Sequence, residues 1–452
     1  MANYINKKSL LFFATLVLFL SACQNDENSS PTENYLGKKT AEYDSKVATD
    51  WSYHTLNLIK TTKGYTPPVA SRTLGYLGVT LYETVRPGTS NKTMSGQLNA
   101  LGSLPKPENN KEYYWPAAAN AALAKMNTYF FPASEAKKTV FDSIEVIKKY
   151  YQAEYTKAGV TGEILTRSEK FGEAIADAVY DWSKTDVIGH EGYLKNFPAA
   201  YELPTGPEKW VPTSAQLIPL QPYWGNTRAF VGSAINSAAP PKHMPFSTLK
   251  NSTFYEQGEM VYNTVKNITA EQRKIAVYWA DGGGTVTPPG HSVALATQLV
   301  VEKSEKLDRA AEVLLRVSIA VADAFVCCWK CKYVYNLQRP VTYIQKNIDP
   351  TWKPIIATPP FPEYISGHAT QAGAVAYVLA SLYSADMTFV DKVHKSRTDI
   401  DGSPRVFKNF MEMADEAANS RLYGGIHYPM GNQEGLLAGL KIGKAHDLIK
   451  IK

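Results

Sequence analysis

The sequence predicts an all-α protein, and three observations support that fold class. Apolar residues recur at intervals of three and four along most of the chain, which is the spacing that buries one face of a helix. The alternating, β-branched segments typical of strands are nearly absent. The hydrophobic share of 44% and the charged share of 20% are ordinary for a globular protein. We therefore predict a large helical body with long loops wrapped around it.

Five segments in the first half of the chain carry the helical pattern. They span residues 44–62, 67–85, 115–132, 134–155 and 166–186. The second of them opens with Pro67, and proline is favourable in the first turn of a helix because its missing N–H has no intrahelical partner there. The fourth is predicted to begin with Ser134 as its N-cap, since a serine hydroxyl can accept a hydrogen bond from the first turn.

The second half of the chain begins with a predicted loop region. Residues 187–250 are rich in Pro, Gly and aromatic residues, a composition that favours long loops over the core or beside a site entrance. Helices are predicted to resume at residues 256–267 and 270–281. The sequence GGGTVTPPGH at residues 282–291 is expected to break them, before a long helical section at residues 292–334.

The N-terminus has the features of an export signal. Two lysines precede the apolar segment at residues 10–20, which is too short to remain as a membrane-spanning helix. It ends in Leu-Ser-Ala followed by Cys23, which resembles a bacterial lipoprotein box. We predict a signal peptide at residues 1–22, a lipid anchor at Cys23 and a flexible tether over residues 23–40. The expected product is an exported lipoprotein of the outer membrane, on its periplasmic side or at the cell surface. The alternative is an ordinary signal peptide with an incidental cysteine.

The charge distribution argues against a nucleic-acid binder, and the cysteine content argues against a cysteine-based metal site. The net charge of +6 is spread along the helical segments, and no basic patch indicates a nucleic-acid binder. Beyond Cys23, the cysteines are Cys327, Cys328 and Cys331. Their Cys-x-x-Cys spacing could mark a redox pair or half of a zinc site, but no second Cys or His pair completes a metal site. We therefore expect buried structural cysteines and leave their pairing open.

Three elements with cationic or oxyanion-binding residues follow one another between residues 332 and 431. Lys332 and Arg339 are seven residues apart and would share a face if both lay on one helix. Ser366 is a predicted N-cap, which leaves the N–H groups of Gly367 and His368 free at the positive end of a helix dipole. Such a helix start is a ready site for an oxyanion.

The third element holds Arg421 near the end of a predicted helix and His427 in the Gly-flanked loop before Pro429. Each element has a structural interpretation when taken singly: surface cations, a simple helix cap, a structural histidine. Their order and proximity instead predict a site for a group with three or four negatively charged oxygens, such as phosphate or vanadate. We place these motifs in a catalytic helical bundle at residues 301–452, after a helical scaffold at residues 41–300.

The order Lys-x6-Arg-Pro, Ser-Gly-His and Ser-Arg-x5-His resembles the signature of the superfamily that unites type 2 phosphatidic acid phosphatases and vanadium-dependent haloperoxidases. The upstream segments also resemble the bacterial haloperoxidases, so the resemblance covers most of the chain after the signal peptide. It implies a helical bundle of the haloperoxidase and acid phosphatase type. It also implies vanadate as a cofactor, with hydrogen peroxide and a halide as the reacting partners.

The resemblance assigns a role to each residue that matches the motifs. His427 matches the residue that bonds to vanadium, or attacks phosphorus in the phosphatases. His368 matches the acid–base residue, and Lys332 is placed to polarise the peroxide. The residues that match binders of the oxyanion oxygens are Lys332, Arg339, Ser366, Gly367 and Arg421. Two aromatic residues, Trp329 and Phe361, match positions that line a halide pocket.

The chain departs from the superfamily pattern at two positions. Gly431 stands where the phosphatases have an Asp that orients the second histidine, and Asn432 or Glu434 are the candidates to replace it. A nucleophilic histidine without a carboxylate partner is expected to be a poorer phosphatase nucleophile. Ile365 stands where a Pro is common before Ser-Gly-His, and this should change loop stiffness more than chemistry.

These features favour a haloperoxidase that oxidises a halide with hydrogen peroxide to a hypohalous acid equivalent. The chain lacks the several spans of lipid phosphatases, exceeds the small acid phosphatases in length, carries the two halide-pocket aromatics and lacks the Asp at position 431. Iodide is favoured, with bromide next, and Lys330 is a candidate for tuning the halide pocket. The alternatives are an extracytoplasmic acid phosphatase with a His nucleophile and a non-catalytic, oxyanion-binding lipoprotein.

Overall fold

The computed structural model describes residues 35–452, which form one compact unit. The predicted signal peptide, Cys23 and most of the predicted tether lie outside the described residues. The predicted boundary near residue 300 stays a prediction. No helix in the described range is long and apolar enough to cross a membrane.

The regular secondary structure of the described residues is almost entirely helical, which confirms the predicted fold class. The helices are α1 (Lys46–Thr61), α2 (Pro67–Val85), α3 (Trp115–Phe130), α4 (Lys138–Lys157), α5 (Gly162–Lys184), α6 (Ala234–Ala238), α7 (Thr253–Lys266), α8 (Ala270–Tyr278), α9 (Thr287–Glu302), α10 (Leu307–Tyr335), α11 (Pro340–Asn347), α12 (Gly367–Leu382), α13 (Phe410–Tyr423) and α14 (Pro429–Ala445). Two short antiparallel strands, β1 (Phe389–Asp391) and β2 (Arg405–Phe407), pair with Val390 opposite Val406.

Local features of the sequence predict the start of α2 correctly but not the starts of α4 and α5. Helix α2 begins at Pro67, as predicted. Helix α4 begins at Lys138 and not after Ser134, because the backbone beyond Pro132 first forms a turn in which the N–H groups of Glu135 and Ala136 donate to the Pro132 carbonyl. Helix α5 begins earlier than predicted, at Gly162, where Thr161 caps it.

The predicted helical section over residues 292–334 consists of two helices, α9 and α10. Their connection contains Ser304 in the left-handed region at φ 52°. Helix α9 starts inside the segment that we expected to break it, at Thr287. Its prolines, Pro288 and Pro289, lie in the first turn, where a missing N–H removes no helical hydrogen bond.

Lys332 and Arg339 do not lie on one helix, so the shared helix face that their spacing allowed does not form. Helix α10 ends at Tyr335, and Asn336 caps it in the left-handed conformation at φ 54°. Arg339 is instead the N-cap residue of α11, with Pro340 in the first helical position. The turn between them allows the two cations to approach the same centre from different directions.

Helix α10 lies at the centre of the core and packs against α2, α9 and α12, while α12 also packs against α13 and α14. The contact between α12 and α14 is close, since a Cβ at Gly439 would lie 2.1 Å from the Thr370 carbonyl oxygen. This packing brings the C-terminal end of α10 to the N-terminal ends of α12 and α14. Most of residues 187–250 are loop, as predicted, and Leu220 from this region contacts α10.

Candidate functional site

The motif residues from four parts of the chain converge on one cavity of about 470 Å³. It lies where α10, α12 and the loop before α14 meet, beside the Gly-rich connection between α8 and α9. Among the residues that line it are Asp281, Trp329, Phe361, Gly367, His368, Arg421 and His427. Lys332, Arg339 and Ser366 lie directly behind this lining and are buried.

His427 presents one nitrogen of its ring to the centre of the site. Its Nδ1 lies 2.7 Å from Oε1 of Glu363, and its Nε2 lies 3.1 Å from Nη1 of Arg339. Oε1 already accepts a hydrogen bond from the Tyr428 N–H, so Nδ1 is the donor. Arginine has only donors, so Nε2 is the acceptor. Burial and the cations Arg339 and Lys332 lower the pKa of His427. The ring is therefore neutral, and its Nε2 carries a lone pair.

Glu363 corrects the prediction that His427 lacks a carboxylate partner. Neither Asn432 nor Glu434 takes that role. Burial raises the pKa of Glu363 to about 7, while Lys332 and Arg339 oppose the rise. The absence of a side chain at Gly431 is what admits this carboxylate, because a Cβ there would lie 2.3 Å from Oε1. The missing Asp at position 431 therefore no longer argues against a nucleophilic histidine.

Arg339 holds the loop segments around His427 together. Its Nε donates to the Phe361 carbonyl at 2.8 Å, and its Nη1 donates to the Ile426 carbonyl at 2.8 Å. Its Nη2 is buried and has no hydrogen-bond partner among the described residues. One arm of this guanidinium is thus fixed by the fold, and the other arm is free to donate to a ligand.

Lys332 is clamped more completely than the sequence suggested. Its Nζ donates to the carbonyls of Pro362, Glu363 and Ile365 at 3.0, 2.8 and 2.5 Å. These contacts use all three protons of the ammonium group. Burial lowers the pKa of Lys332 to about 8. Lys332 therefore brings positive charge to the site and must exchange a carbonyl contact to donate to a bound oxyanion.

Arg421 faces the cavity from α13. Its Nη1 donates to the Trp279 carbonyl at 3.0 Å, which ties it to the end of α8. Its Nε is buried without a partner in the part of the chain that the structure describes. Burial lowers the pKa of Arg421, and Asp281 opposes that change.

The three cations lack the counter-charges that buried cations usually have. Lys332, Arg339 and Arg421 are each at most 3% exposed. Within residues 35–452 none of them forms a salt bridge with a carboxylate. Burying unpaired charge is costly, so such a cluster is typical of a site completed by an anionic ligand.

The start of α12 adds the expected backbone donors. The Ser366 hydroxyl accepts from the Ala369 N–H, which confirms Ser366 as the N-cap. The N–H groups of Gly367 and His368 then have no partner within the helix, and Gly367 faces the cavity. The Nε2 of His368 is buried and without a hydrogen-bond partner among the described residues. Burial and Arg421 lower the pKa of His368 well below its usual value, so its ring is neutral.

The two predicted halide-pocket aromatics contact each other beside these cations. The ring centroids of Trp329 and Phe361 are 5.0 Å apart. Lys332 Nζ lies 5.2 Å from the centroid of the Phe361 ring, and the Arg339 guanidinium lies 4.8 Å from it. Lys330, in contrast, is exposed on the outer side of α10, which places it away from this pocket.

The cysteines on α10 are structural, as predicted. Cys327, Cys328 and Cys331 are buried and free of disulfide bonds. The Cys328 thiol donates to the Ile365 carbonyl at 3.3 Å, which supports the loop before Ser366.

Sequence reasoning missed Glu363 and Asp281. Glu363 lies three residues before the Ser-Gly-His motif, but nothing local indicates that it reaches His427, 64 residues further along the chain. Asp281 precedes the three glycines at the cavity edge. Its position beside this glycine run was the one feature of the sequence that could have indicated a place in the site.

Comparisons with known proteins agree with this geometry. The family model of the VCPO second helical-bundle domain matches residues 312–449, which contain all of the motif residues. The chain is therefore similar to vanadium-dependent haloperoxidases in the region that holds the motifs. Vanadium chloroperoxidase from Curvularia inaequalis is 24% identical in an alignment 411 positions long, which covers 76% of this chain and 66% of that protein. The chain thus spans just under two thirds of that relative's length.

Solved structures of haloperoxidases also resemble this chain. A bacterial vanadium-dependent iodoperoxidase superposes with a TM-score of 0.78 at 28% identity, over 92% of this chain and 98% of that one. A bacterial vanadium-dependent chloroperoxidase in its holo form superposes with a TM-score of 0.65 at 13% identity, over 85% and 92% of the two chains. The structural similarity to haloperoxidases therefore extends beyond the motifs to most of the chain.

Proposed function

We propose that this protein is a vanadate-dependent haloperoxidase that oxidises a halide with hydrogen peroxide. The observation that carries the proposal is the neutral Nε2 of His427, which lies among three buried and unpaired cations. The balanced reaction takes a halide ion, hydrogen peroxide and one proton to a hypohalous acid and water. An enzyme that catalyses this reaction must hold a cofactor, transfer protons and bind a halide. A different part of the site is suited to each of these three functions.

The residues present fit vanadate. Arg339 Nη2 and Arg421 Nε are buried donors without partners among the described residues, and both belong to residues next to His427 or lining its cavity. The N–H groups of Gly367 and His368 add donors at the N-terminus of α12. His427 would hold the metal through Nε2, and Lys332, Arg339, Ser366, Gly367 and Arg421 would hold the oxygens. Bound vanadate supplies a Lewis acid that activates peroxide without a change in its own oxidation state.

The remaining residues orient the ligand and move protons. Glu363 accepts the Nδ1 proton of His427 and so keeps Nε2 as the ligating nitrogen. Lys332 and the two arginines hold positive charge near the oxygens, where it withdraws electron density. His368 has a neutral ring, and its Nε2 can take a proton from peroxide and return it to the leaving oxygen.

Trp329 and Phe361 give the cavity an apolar, polarisable wall beside the cations. A large, weakly hydrated halide is easier to bring to such a wall than a small one. Iodide is also the easiest of these halides to oxidise. We therefore propose iodide as the preferred substrate and bromide as the next. The 28% identity to an iodoperoxidase supports this order.

A phosphatase is the second candidate, and one contact favours it. The bond from His427 to Glu363 supplies the carboxylate–histidine pair that a phosphorus-attacking imidazole needs. Phosphate and vanadate share charge and shape, so the same cations would bind both.

The test of the proposed function is a paired assay on the purified full-length protein. Loaded with orthovanadate, it should convert iodide and peroxide to triiodide, and added phosphate should lower that rate by competing for the site. The same protein without vanadate is the control. Cleavage of p-nitrophenyl phosphate that requires His427, together with no iodide oxidation, would establish the phosphatase instead. Activity in neither assay would leave only an oxyanion-binding protein.

The carboxylate behind His427 gives a prediction of its own. We expect Glu363→Gln to weaken vanadate affinity and halide oxidation by about 10–100-fold, because the neutral amide polarises the imidazole less. Affinity is measured by titration with orthovanadate and activity by triiodide formation. Glu434→Gln is the matched control and should change neither value by more than about twofold, a small fraction of the predicted effect. Equal effects of the two changes would contradict the role of Glu363.

A further inference from the structure

A second group of metal-ligating side chains lies beside the cavity but outside the oxyanion site. Asp281 lies in the connection between α8 and α9, His291 lies on α9, and Asp391 and His394 lie on β1 and just after it. All four side chains are buried, with Asp281 the most exposed at 4%. Their charges are mainly negative, in contrast to the cationic group around His427.

His291 is held by carboxylates at both ring nitrogens. Its Nε2 lies 2.8 Å from Oδ2 of Asp391, and its Nδ1 lies 2.9 Å from Oδ2 of Asp281. Oδ1 of Asp391 accepts from the Val393 N–H at 2.9 Å, so Asp391 is itself fixed in place. A carboxylate behind one nitrogen orients the other nitrogen toward a metal in many metal sites.

His394 and Asp281 meet without forming a hydrogen bond. His394 Nε2 lies 3.0 Å from Oδ1 of Asp281, but the angles do not suit a hydrogen bond. Neither atom has another partner in the described part of the chain. Two buried polar atoms this close, and otherwise unsatisfied, are both satisfied if a cation lies between them.

We propose that Asp281, His291 and His394 bind a divalent cation of the zinc type. One ligand atom from each lies within 4.8 Å of the other two. Two imidazoles and one carboxylate suit zinc, and a water completes the usual four ligands. Binding uses the Nδ1 lone pair of His291, so the proton between His291 and Asp281 is released to solvent. Asp391 keeps its hydrogen bond to Nε2.

The ion connects three segments that are distant from one another in the sequence. It joins the glycine-rich connection after α8 to α9 and to the β1–β2 hairpin. Trp279, two residues before Asp281, accepts the hydrogen bond from Arg421. The site thereby stabilises the wall of the cavity that orients Arg421, without contacting the oxyanion itself.

The test uses the full-length protein, stripped with a chelator and free of vanadate. Titration with Zn²⁺ should show one equivalent bound, by calorimetry and by elemental analysis after gel filtration, and should raise the thermal unfolding midpoint. His394→Gln, which removes a ligand, and Asp391→Asn, which removes the support of His291, should each weaken zinc binding by at least about tenfold. His190→Gln, a histidine away from the cluster, should bind like the wild type.

Two results would overturn the proposal. If the wild-type protein binds no zinc and its unfolding midpoint does not change, the cluster is not a metal site. Asp281 and Asp391 then only form hydrogen bonds with the two ring nitrogens of His291. If His394→Gln binds zinc as tightly as the wild type, the ion lies elsewhere. Either result is read from stoichiometry and stability, so neither depends on halide oxidation.

Discussion

We expect His427→Gln to abolish halide oxidation by the vanadate-treated protein while its thermal unfolding midpoint stays close to the wild-type value. The glutamine amide can still donate to Oε1 of Glu363, so the buried carboxylate keeps a partner and the fold survives. The amide nitrogen has no lone pair for bonding to vanadium, so the protein loses the nitrogen atom that would bind the metal. Triiodide formation measures the activity, and titration with orthovanadate measures the binding.

His190→Gln is the matched control for this prediction. It makes the same chemical change at a half-buried histidine whose ring packs against Tyr180, away from the cavity. Its activity and vanadate affinity should equal those of the wild type. His427→Gln that still oxidises iodide at the wild-type rate would remove His427 from the cofactor site and with it the central assignment of the proposed function.

The second large effect is expected from Gly431→Ala. Within a helix, alanine is normally better than glycine by about 0.5–1 kcal/mol. Here the new Cβ would lie 2.3 Å from Oε1 of Glu363, a carboxylate that His427 and Tyr428 hold in place. Overpacking of this kind typically costs about 1–3 kcal/mol, which outweighs the helix preference. We expect lower stability and a larger loss of activity, because Glu363 must leave His427 to make room.

Gly162→Ala is the control for the glycine substitution. Gly162 also lies in the first turn of a helix, and a Cβ there meets nothing within 4 Å. This change should leave activity intact and should not lower the unfolding midpoint. A Gly431→Ala protein with wild-type activity would show that Glu363 can move without releasing His427.

Introducing Asp at position 431, the residue of the phosphatases, should not improve iodide oxidation by this protein. Gly431→Asp adds both a side chain and a second negative charge against Glu363, so it should be more damaging than Gly431→Ala. Removing the first carboxylate as well, in Glu363→Ala with Gly431→Asp, leaves a single carboxylate near His427. That double variant should recover part of the iodide oxidation lost in Gly431→Asp. No recovery would mean that only the position of Glu363 orients the imidazole.

Sequence reasoning succeeded where a short stretch of chain decides the outcome. Pro67 at the start of α2 and Ser366 at the start of α12 were both predicted from residue type alone. It failed where the outcome depended on distant packing. The partner of His427 was expected at Asn432 or Glu434, but it is Glu363, 64 residues earlier in the chain.

The sequence by itself determined the helical fold class and the order of Lys332, Arg339, Ser366, His368, Arg421 and His427, because caps, apolar periods and motif spacings are local properties. Only the tertiary structure decided which groups are partners. Glu363 reaches His427 across 64 residues, and His291 reaches Asp391 across 100. The physical reason is that these contacts depend on how helices pack and where glycine leaves room, as at Gly431, and no single segment of the chain carries that information.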